Sequence, residues 1–401
     1  MLPEILRSYG RQVLDDLDVQ AVVGALKGQY LTGGPCVPEF ESALQEYAGA
    51  KYAVSCGNCT QALHLSARGL GIGSRHSVIV PSITFLATAN APHSTGAEIV
   101  FSDVDPASGL MTAKNLEDAL KRCTLEPYAV FPVHFAGQTV DIKSIHDLAR
   151  QHGLKIVEDA AHAIGTVYQV EGKSYQVGDC AFSDAVTFSF HPVKHITTIE
   201  GGAVMMNDDA FANHVARLRA HGMVRDPQSF LNRDMAFDDE GLVNPWYYEM
   251  PDYGYNYRLT DVQAALGLSQ LRKLPGFITS RMAIKCLYDE LLSPYAPHIR
   301  LLKNTEGCQA AWHIYPVLID FEALNKSRGN VMRRLAAAGI GTQVHYIPVH
   351  KQPYYRNLYG DLDLPGADSY YARTLTLPIH ALMEESHVPL VVEKLVELLD
   401  L

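Results

Sequence analysis

The chain has 401 residues, more than one hydrophobic core usually organises, and 47% apolar with 19% charged residues is the composition of a folded globular protein. That composition excludes a disordered or fibrous chain. Acidic residues exceed basic ones, 44 against 33, and the formal net charge of −11 argues against nucleic acid or an anionic membrane as a partner. A small anionic substrate would need a locally positive pocket.

Targeting and cysteine patterns point to a cytoplasmic protein. The first residues lack the basic and then apolar pattern of a signal segment. No stretch approaches the ~20 apolar residues that a bilayer requires. Seven scattered cysteines, an odd number, suit reduced thiols. Cys56 and Cys59 form a C-x-x-C pair, but no second pair stands at zinc-finger spacing, so we interpret the spacing as coincidence and expect no metal site.

Short apolar runs alternate with helical patterns through the first two-thirds of the chain. Five runs predict buried strands, at residues 77–81, 98–102, 128–132, 155–158 and 185–189. The helical patterns between them predict an α/β fold with a large, mostly parallel sheet covered on both faces. Ligands of such sheets bind beyond the carboxyl ends of the strands, so the residues that follow each strand are candidates for the site.

After about residue 265 the pattern changes to that of a smaller α+β unit. Residues 312–320 predict a strand and residues 331–338 a helix. A final helix carries its apolar residues on one stripe, at Val388, Val391, Val392, Leu395 and Leu399. We therefore expect a large domain over residues 1–265 and a small C-terminal domain over residues 266–401. Residues 223–253 lack periodicity and predict a long loop.

A lysine follows the last of the five predicted strands. Ser189, His191 and Lys194 come within six residues and lead to a Gly-Gly turn. Because both flanks of Lys194 are apolar or turn-forming, this lysine is poorly placed to be a solvated surface charge. A desolvated lysine has a lowered pKa and becomes an amine nucleophile, as Schiff-base chemistry requires. The same pattern also fits an ordinary surface lysine after a strand.

Polar residues also follow the strand at 155–158. Asp159 fits an acid that keeps the pyridine nitrogen of pyridoxal phosphate protonated, so that the ring accepts electrons. It equally fits the cap of a helix. His162, three residues later, could lie over that ring or contact its phenolic oxygen, or it could be a core histidine.

A turn rich in small residues precedes the first helical pattern of the sheet region. Asn58, Cys59 and Thr60 enter this helix, and the free N–H groups of a helix N-terminus suit a phosphate. The turn is not a Walker loop, because no Gly-Lys-Ser/Thr follows. Phe85, just after the strand at 77–81, could stack on a cofactor ring or belong to the core.

Together these residues resemble the sugar-nucleotide aminotransferases of the DegT/DnrJ/EryC1/StrS family, which are pyridoxal 5′-phosphate enzymes of fold type I, the aspartate aminotransferase-like fold. The resemblance runs from Tyr9 to the final helix, and the lysine motif is its most specific part. It implies that Lys194 carries the cofactor and that Asp159 pairs with the pyridine nitrogen. The remaining implied cofactor contacts are His162, Ser189, Cys59, Thr60 and Phe85.

The resemblance also implies a homodimer with shared active sites. Asn256 would reach the cofactor phosphate from the neighbouring subunit, and Arg258 would lie near the shared site as a substrate contact. Residues 339–350 resemble members that transfer the amino group of L-glutamate to C4 of a UDP-linked 4-keto-6-deoxy-2-acetamido hexose. His345, Tyr346 and His350 in this stretch are then expected to contact the substrate, and no third ligand accompanies the two histidines for a metal.

Three alternatives stay open within the resemblance. The enzyme could aminate another nucleotide-linked keto sugar, at C3 or C4. It could be a pyridoxal-phosphate-dependent sugar dehydratase, in which a histidine replaces the lysine, since His195 is adjacent to Lys194. It could also be a non-catalytic regulator of the same fold. A nicotinamide dehydrogenase is rejected, because no G-x-G-x-x-G follows the first strand.

The chain departs from the family pattern at three places. Cys59 stands where a glycine or another small residue is usual, and Ile199 replaces a common glycine before Glu200. Residues 228–244 form a longer and more acidic loop than most members carry, and the sequence assigns it no role.

Overall fold

The computed structural model describes residues 8–401. Its helices are α1 (Asp16–Lys27), α2 (Cys36–Ala48), α3 (Cys59–Gly69), α4 (Leu86–His93), α5 (Ala113–Leu120), α6 (Ile142–Gln151), α7 (Asp209–Arg219), α8 (Arg233–Ala236), α9 (Asp261–Leu292), α10 (Arg328–Ala337), α11 (Pro353–Tyr359), α12 (Pro365–Arg373) and α13 (His387–Leu399). Its strands are β1 (Tyr52–Cys56), β2 (His76–Pro81), β3 (Glu98–Ser102), β4 (Glu126–Val130), β5 (Lys155–Asp159), β6 (Val167–Val170), β7 (Lys173–Gln176), β8 (Ala185–Ser189), β9 (Gly202–Met206), β10 (Ile299–Leu301), β11 (Cys308–Gln309), β12 (Tyr315–Ile319) and β13 (Thr374–Leu377).

A seven-stranded sheet with the order β1-β9-β8-β5-β4-β2-β3 forms the centre of the molecule. Its pairs are parallel except those of β9, which runs antiparallel to both β1 and β8. The five predicted strands are confirmed as β2, β3, β4, β5 and β8. Their apolar runs are buried on both faces, as a parallel sheet between helices requires. The predicted fold class, fold type I, is confirmed.

The direction of the strands determines where the site lies. Because β1, β2, β5 and β8 run the same way, their carboxyl ends meet at one edge of the sheet. The antiparallel β9 begins at that same edge, where Gly202 pairs with both Cys56 and Ser189. The end of β1, the end of β8 and the start of β9 therefore lie side by side at this edge of the sheet.

The C-terminal part adds a second, antiparallel sheet of order β10-β12-β13. A third small sheet, β11-β6-β7, joins this part to a hairpin of the N-terminal part. The 32-residue helix α9 begins at the side-chain cap of Thr260 and passes through residue 265. This helix runs across the predicted domain boundary. The division into domains at residues 1–265 and 266–401 stays a prediction.

Residues 223–253 are not the structureless loop that their lack of periodicity predicts. They contain a 3₁₀ turn (Pro227–Ser229), helix α8 and two isolated β-bridges. Phe230 is buried against Tyr247, with ring centroids 4.9 Å apart. Glu249 accepts hydrogen bonds from the backbone N–H groups of Leu231 and Asn232, at 2.7 and 2.6 Å. The segment therefore has its own internal packing, and we name residues 223–253 the excursion.

No helix within residues 8–401 combines the length and the hydropathy that crossing a bilayer requires. All seven cysteines lie in this range as free thiols.

Ile199 occupies a backbone conformation that suits glycine. Its φ is +70° and its side chain is 56% exposed. A left-handed conformation costs an L-residue about 1–2 kcal/mol, and a β-branched side chain fits it poorly. The position at which the chain departs from the family's glycine is therefore a position of backbone strain.

Replacing Ile199 by glycine should therefore stabilise the fold. The relief of strain exceeds the entropic cost of glycine, about 0.5–1 kcal/mol, so Ile199→Gly should raise the midpoint of thermal unfolding by about 1–2 °C. Differential scanning calorimetry measures it. Ile347→Gly is the matched control, since Ile347 is 50% exposed and has no positive φ; this control should lower the midpoint. A lower midpoint for Ile199→Gly would contradict the assignment of strain.

Candidate functional site

A cavity of about 680 Å3 opens at the edge of the sheet where the parallel strands end. Nine of the twelve residues that the sequence predicts as contacts of the cofactor or the substrate line it: Cys59, Thr60, Phe85, Asp159, His162, Ser189, Lys194, His345 and Tyr346. Seven of them lie at or just after the carboxyl ends of β1, β2, β5 and β8. The other two, His345 and Tyr346, come from the C-terminal part. Their roles stay predictions, but the structure brings these nine residues together.

One wall of the cavity is the turn that enters α3. Asn58 caps the helix by accepting a hydrogen bond from the Gln61 N–H at 2.9 Å. The N–H groups of Cys59 and Thr60 belong to the first turn and have no partners within the helix. Gly202 packs directly on this turn: a Cβ on Gly202 would lie 2.5 Å from the Asn58 carbonyl carbon and 2.7 Å from Cys59 N. The glycine therefore lets the start of β9 pack directly against the backbone of this turn.

Lys194 lies in the cavity rather than on the surface. Burial lowers the pKa of its amine from 10.5 to about 8, against the opposite effect of Cys59 and Asp159. Its neighbour His195 is buried and donates from Nε2 to the Ala311 carbonyl at 2.9 Å. Because His195 does not line the cavity, the lysine and not the histidine is available to a ligand there.

The Asp159 carboxylate is fixed by two hydrogen bonds. Oδ2 accepts from Thr88 Oγ1 at 2.7 Å, and Oδ1 accepts from the Ala161 N–H at 3.1 Å. Thr88 in turn lies 2.7 Å from Thr84 Oγ1. Each carboxylate oxygen keeps lone-pair capacity for a further donor in the cavity. The helix-cap interpretation of Asp159 is wrong, because a turn and not a helix follows β5. One carboxylate oxygen binds the backbone of that turn while the other binds Thr88.

Cys59 is a neutral thiol in this wall. Burial raises its pKa well above the ordinary value, with a further contribution from Asp159. Burial likewise raises the pKa of Cys56 to about 12. Thiols that stay protonated are poor nucleophiles and poor metal ligands. Among residues 8–401, no group of three or more His, Cys, Asp or Glu side chains is arranged to hold a metal ion.

The roof of the cavity comes from residues 343–352, which we name the bridging segment. At one end Gln343 exchanges two backbone hydrogen bonds with Thr376 of β13, at 3.2 and 2.8 Å. At the other end the Val349 N–H donates to the Ser82 carbonyl, at 2.9 Å, just past β2. The segment thus connects the small sheet with the edge of the large sheet at which the cavity lies.

His345 and His350 hold the bridging segment from below. His345 Nδ1 lies 2.9 Å from Thr376 Oγ1 while its side chain reaches the cavity. His350 is buried outside the cavity lining, with Nδ1 2.6 Å from Ser82 Oγ. The structure does not bring His350 to the cavity, and its predicted contact with the substrate stays a prediction.

Asn256 and Arg258 also lie outside the cavity of their own chain. Both are exposed, and the backbone of Asn256 forms a β-bridge with Ala220. Among the cavity-lining residues of the described chain, Lys194 is the only lysine or arginine.

Sequence reasoning missed several residues of the site. Tyr9, Thr84, Glu200, Gln343 and Gln352 also line the cavity. Thr84 directly follows β2 and could have been found by the strand-end rule. Thr88, which holds Asp159, lies inside helix α4, and no local pattern signals its contact.

Comparisons with known proteins agree with this geometry. The sequence matches the profile of the DegT/DnrJ/EryC1/StrS aminotransferase family over residues 12–396. It is 35% identical over 393 residues to the UDP-4-amino-4,6-dideoxy-N-acetyl-β-L-altrosamine transaminase of Campylobacter jejuni, which covers 98% of this chain and 97% of that protein.

Two solved structures are similar over nearly the whole chain. Helicobacter pylori PseC, an aminotransferase of pseudaminic acid biosynthesis, has a TM-score of 0.87 and 30% identity, with 98% of this chain and 99% of that chain covered. Streptococcus pneumoniae Spr1654 in its PLP form has a TM-score of 0.85 and 26% identity, with 98% of each chain covered.

A side chain at Gly202 should displace the turn that enters α3. In Gly202→Ala the added Cβ would overlap the Asn58 carbonyl and Cys59 N, and such overpacking costs about 1–3 kcal/mol. We expect the affinity of the apo-protein for pyridoxal 5′-phosphate to fall at least about tenfold, measured by fluorescence titration. Gly73→Ala is the control, because the nearest atom to its Cβ would be 4.0 Å away. Equal affinities in the two variants would contradict the role of this turn.

Proposed function

The chain belongs to the DegT/DnrJ/EryC1/StrS aminotransferase family and is a pyridoxal-phosphate-dependent sugar aminotransferase; from that premise we propose which sugar it aminates and which residues act. It transfers the amino group of L-glutamate to C4 of a UDP-linked 4-keto-6-deoxy-2-acetamido hexose, which yields UDP-4-amino-4,6-dideoxy-N-acetyl-β-L-altrosamine. The observation that carries this proposal is the 35% identity to the Campylobacter jejuni transaminase over 98% of this chain. The reaction takes place in the cytoplasm.

The residues of the cavity fit pyridoxal 5′-phosphate. The turn that enters α3 suits its phosphate, with Ser189 at the adjacent strand end. His162 Nδ1 is buried and has no hydrogen-bond partner among residues 8–401, so it is free to bind the phenolic oxygen. Phe85, which is 58% exposed, offers its ring as a stacking surface.

Two residues act directly in the chemistry. When bound, pyridoxal phosphate supplies the carbonyl that takes up the amino group and the ring that withdraws electrons from the reacting carbon. The neutral amine of Lys194 accepts a proton at Nζ from the α-carbon of glutamate and later delivers one to C4 of the sugar. Asp159, whose carboxylate is held by Thr88, would pair with the ring nitrogen and keep it protonated.

Recognition of the anionic sugar nucleotide requires a second chain. A cavity with a single lysine provides too little positive charge for a cofactor phosphate and a diphosphate together. In a homodimer, Asn256 and Arg258 of one chain reach the cavity of the other. The excursion beside them exposes large apolar side chains, for example Leu231 (78%) and Trp246 (74%), as a surface buried in an oligomer would.

The bridging segment contacts the sugar. His345 and Tyr346 face the cavity from the roof and supply polar atoms beside the reacting carbon. His350 supports this segment through Ser82, and its contact with the substrate stays a prediction.

The substrate assignment is tested with a panel of UDP- and dTDP-linked 3-keto and 4-keto sugars, L-glutamate and the holoenzyme, with product stereochemistry determined by NMR. We expect amination at C4 of the UDP-linked 2-acetamido sugar. Lys194→Ala should lower turnover by at least about 10²–10⁴-fold, whereas Lys143→Ala, which removes a surface ion pair with Asp147, should not. Amination of a different sugar would contradict the substrate, and turnover by Lys194→Ala would contradict the mechanism.

A further inference from the structure

A tyrosine of the bridging segment is hydrogen-bonded to a histidine at the sheet edge. Tyr346 Oη lies 3.0 Å from His162 Nε2, and both side chains line the cavity. His162 follows Asp159 by three residues, whereas Tyr346 comes from the C-terminal part of the chain. The contact therefore joins the roof of the cavity to the residues expected to bind the cofactor ring.

Both partners of this bond are neutral. Burial lowers the pKa of His162 well below its ordinary value, and the charges of Lys194, His345 and His195 act in the same direction. Burial raises the pKa of Tyr346 well above its ordinary value. A neutral imidazole carries one N–H, so the bond has two forms: either Tyr346 donates to Nε2 and the proton is on Nδ1, or Nε2 donates to Tyr346.

The chemistry of the two groups favours donation from tyrosine. A phenol is a stronger acid than a neutral imidazole N–H, and an imidazole nitrogen is a stronger base than a phenol oxygen. With Tyr346 as the donor, Nδ1 carries the proton and is an N–H that has no acceptor in the described part of the chain. A buried N–H without an acceptor costs free energy until a ligand oxygen binds there.

The ring of His162 cannot easily turn over to exchange its two nitrogens. Its centroid lies 4.5 Å from that of His313 and 6.0 Å from that of Phe135. The His313 backbone is itself held by buried Arg281, whose Nη1 donates to the His313 carbonyl at 2.8 Å. The packing therefore fixes the plane of the imidazole, and the hydrogen bond to Tyr346 decides which nitrogen carries the proton.

We propose that Tyr346 is a positioning residue: by donating its hydroxyl proton to His162 Nε2, it places the imidazole proton on Nδ1, aimed at the phenolic oxygen of the cofactor. This inference rests on the proposed placement of pyridoxal phosphate in the cavity. The bridging segment thereby acts on the cofactor as well as on the sugar.

The test is the tautomer of His162 in the apo-protein, read by 15N NMR with labelled histidine and assigned with His162→Gln. In the parent protein we expect a protonated Nδ1 and an unprotonated Nε2. In Tyr346→Phe we expect the proton to move at least partly to Nε2, and affinity for pyridoxal 5′-phosphate to fall by about 5- to 30-fold. Thermal unfolding confirms that the variant folds.

Tyr354→Phe is the matched control. Tyr354 Oη also lies 2.8 Å from a histidine nitrogen, His93 Nε2, but the pair is outside the cavity lining. This control should leave both readouts unchanged. A parent protein with the proton on Nε2 would overturn the proposal, as would a Tyr346→Phe variant with unchanged tautomer and affinity. A parent protein that shows the Nδ1 proton but aminates no UDP-4-keto sugar would instead refute the proposed function alone.

Discussion

The desolvation of the Lys194 amine is the constraint on which the rest of the site depends. Lys194 is useful as a base only if its amine is neutral near physiological pH, and in this chain burial lowers its pKa to about 8. Burial in turn depends on the walls and the roof of the cavity at the sheet edge. The bridging segment forms the roof, and that segment is held by backbone hydrogen bonds to Thr376 and Ser82. The pKa of Lys194 therefore depends on the packing of the bridging segment, which is distant from it in the sequence.

The same cavity must bind anions although the whole chain carries a net charge of −11. The positive potential inside the cavity and the negative charge of the whole chain come from different groups. Fixed backbone N–H groups at the start of α3 provide positive potential without a titratable charge, and Gly202 lets the neighbouring strand β9 pack directly against this turn. Further positive charge would come from Arg258 of a second chain. Negative charge elsewhere on the surface then has little effect on a phosphate inside the cavity, because screening limits its range.

The parallel sheet explains why so much of the site could be predicted from the sequence. Strands of buried apolar residues are local patterns, and a parallel sheet brings their carboxyl ends together, so residue patterns alone were enough to assign Asp159, Ser189 and Lys194 to one edge. Three features had no local signal. Thr88 reaches Asp159 from inside a helix, Tyr346 reaches His162 across 184 residues of sequence, and the excursion packs around Phe230 without periodicity. Each depends on long-range packing that residue patterns do not encode.

The most direct test of this account is the pKa of Lys194 in the apo-protein. Lysine labelled with 13C at Cε, titrated from neutral to strongly alkaline pH and followed by NMR, reports each amine separately, and the resonance absent from Lys194→Arg identifies Lys194. The account predicts a midpoint near 8 for this resonance, while exposed lysines titrate near 10.5. A midpoint for Lys194 at the ordinary value of 10.5 would show that the cavity does not desolvate its amine, and would contradict the account.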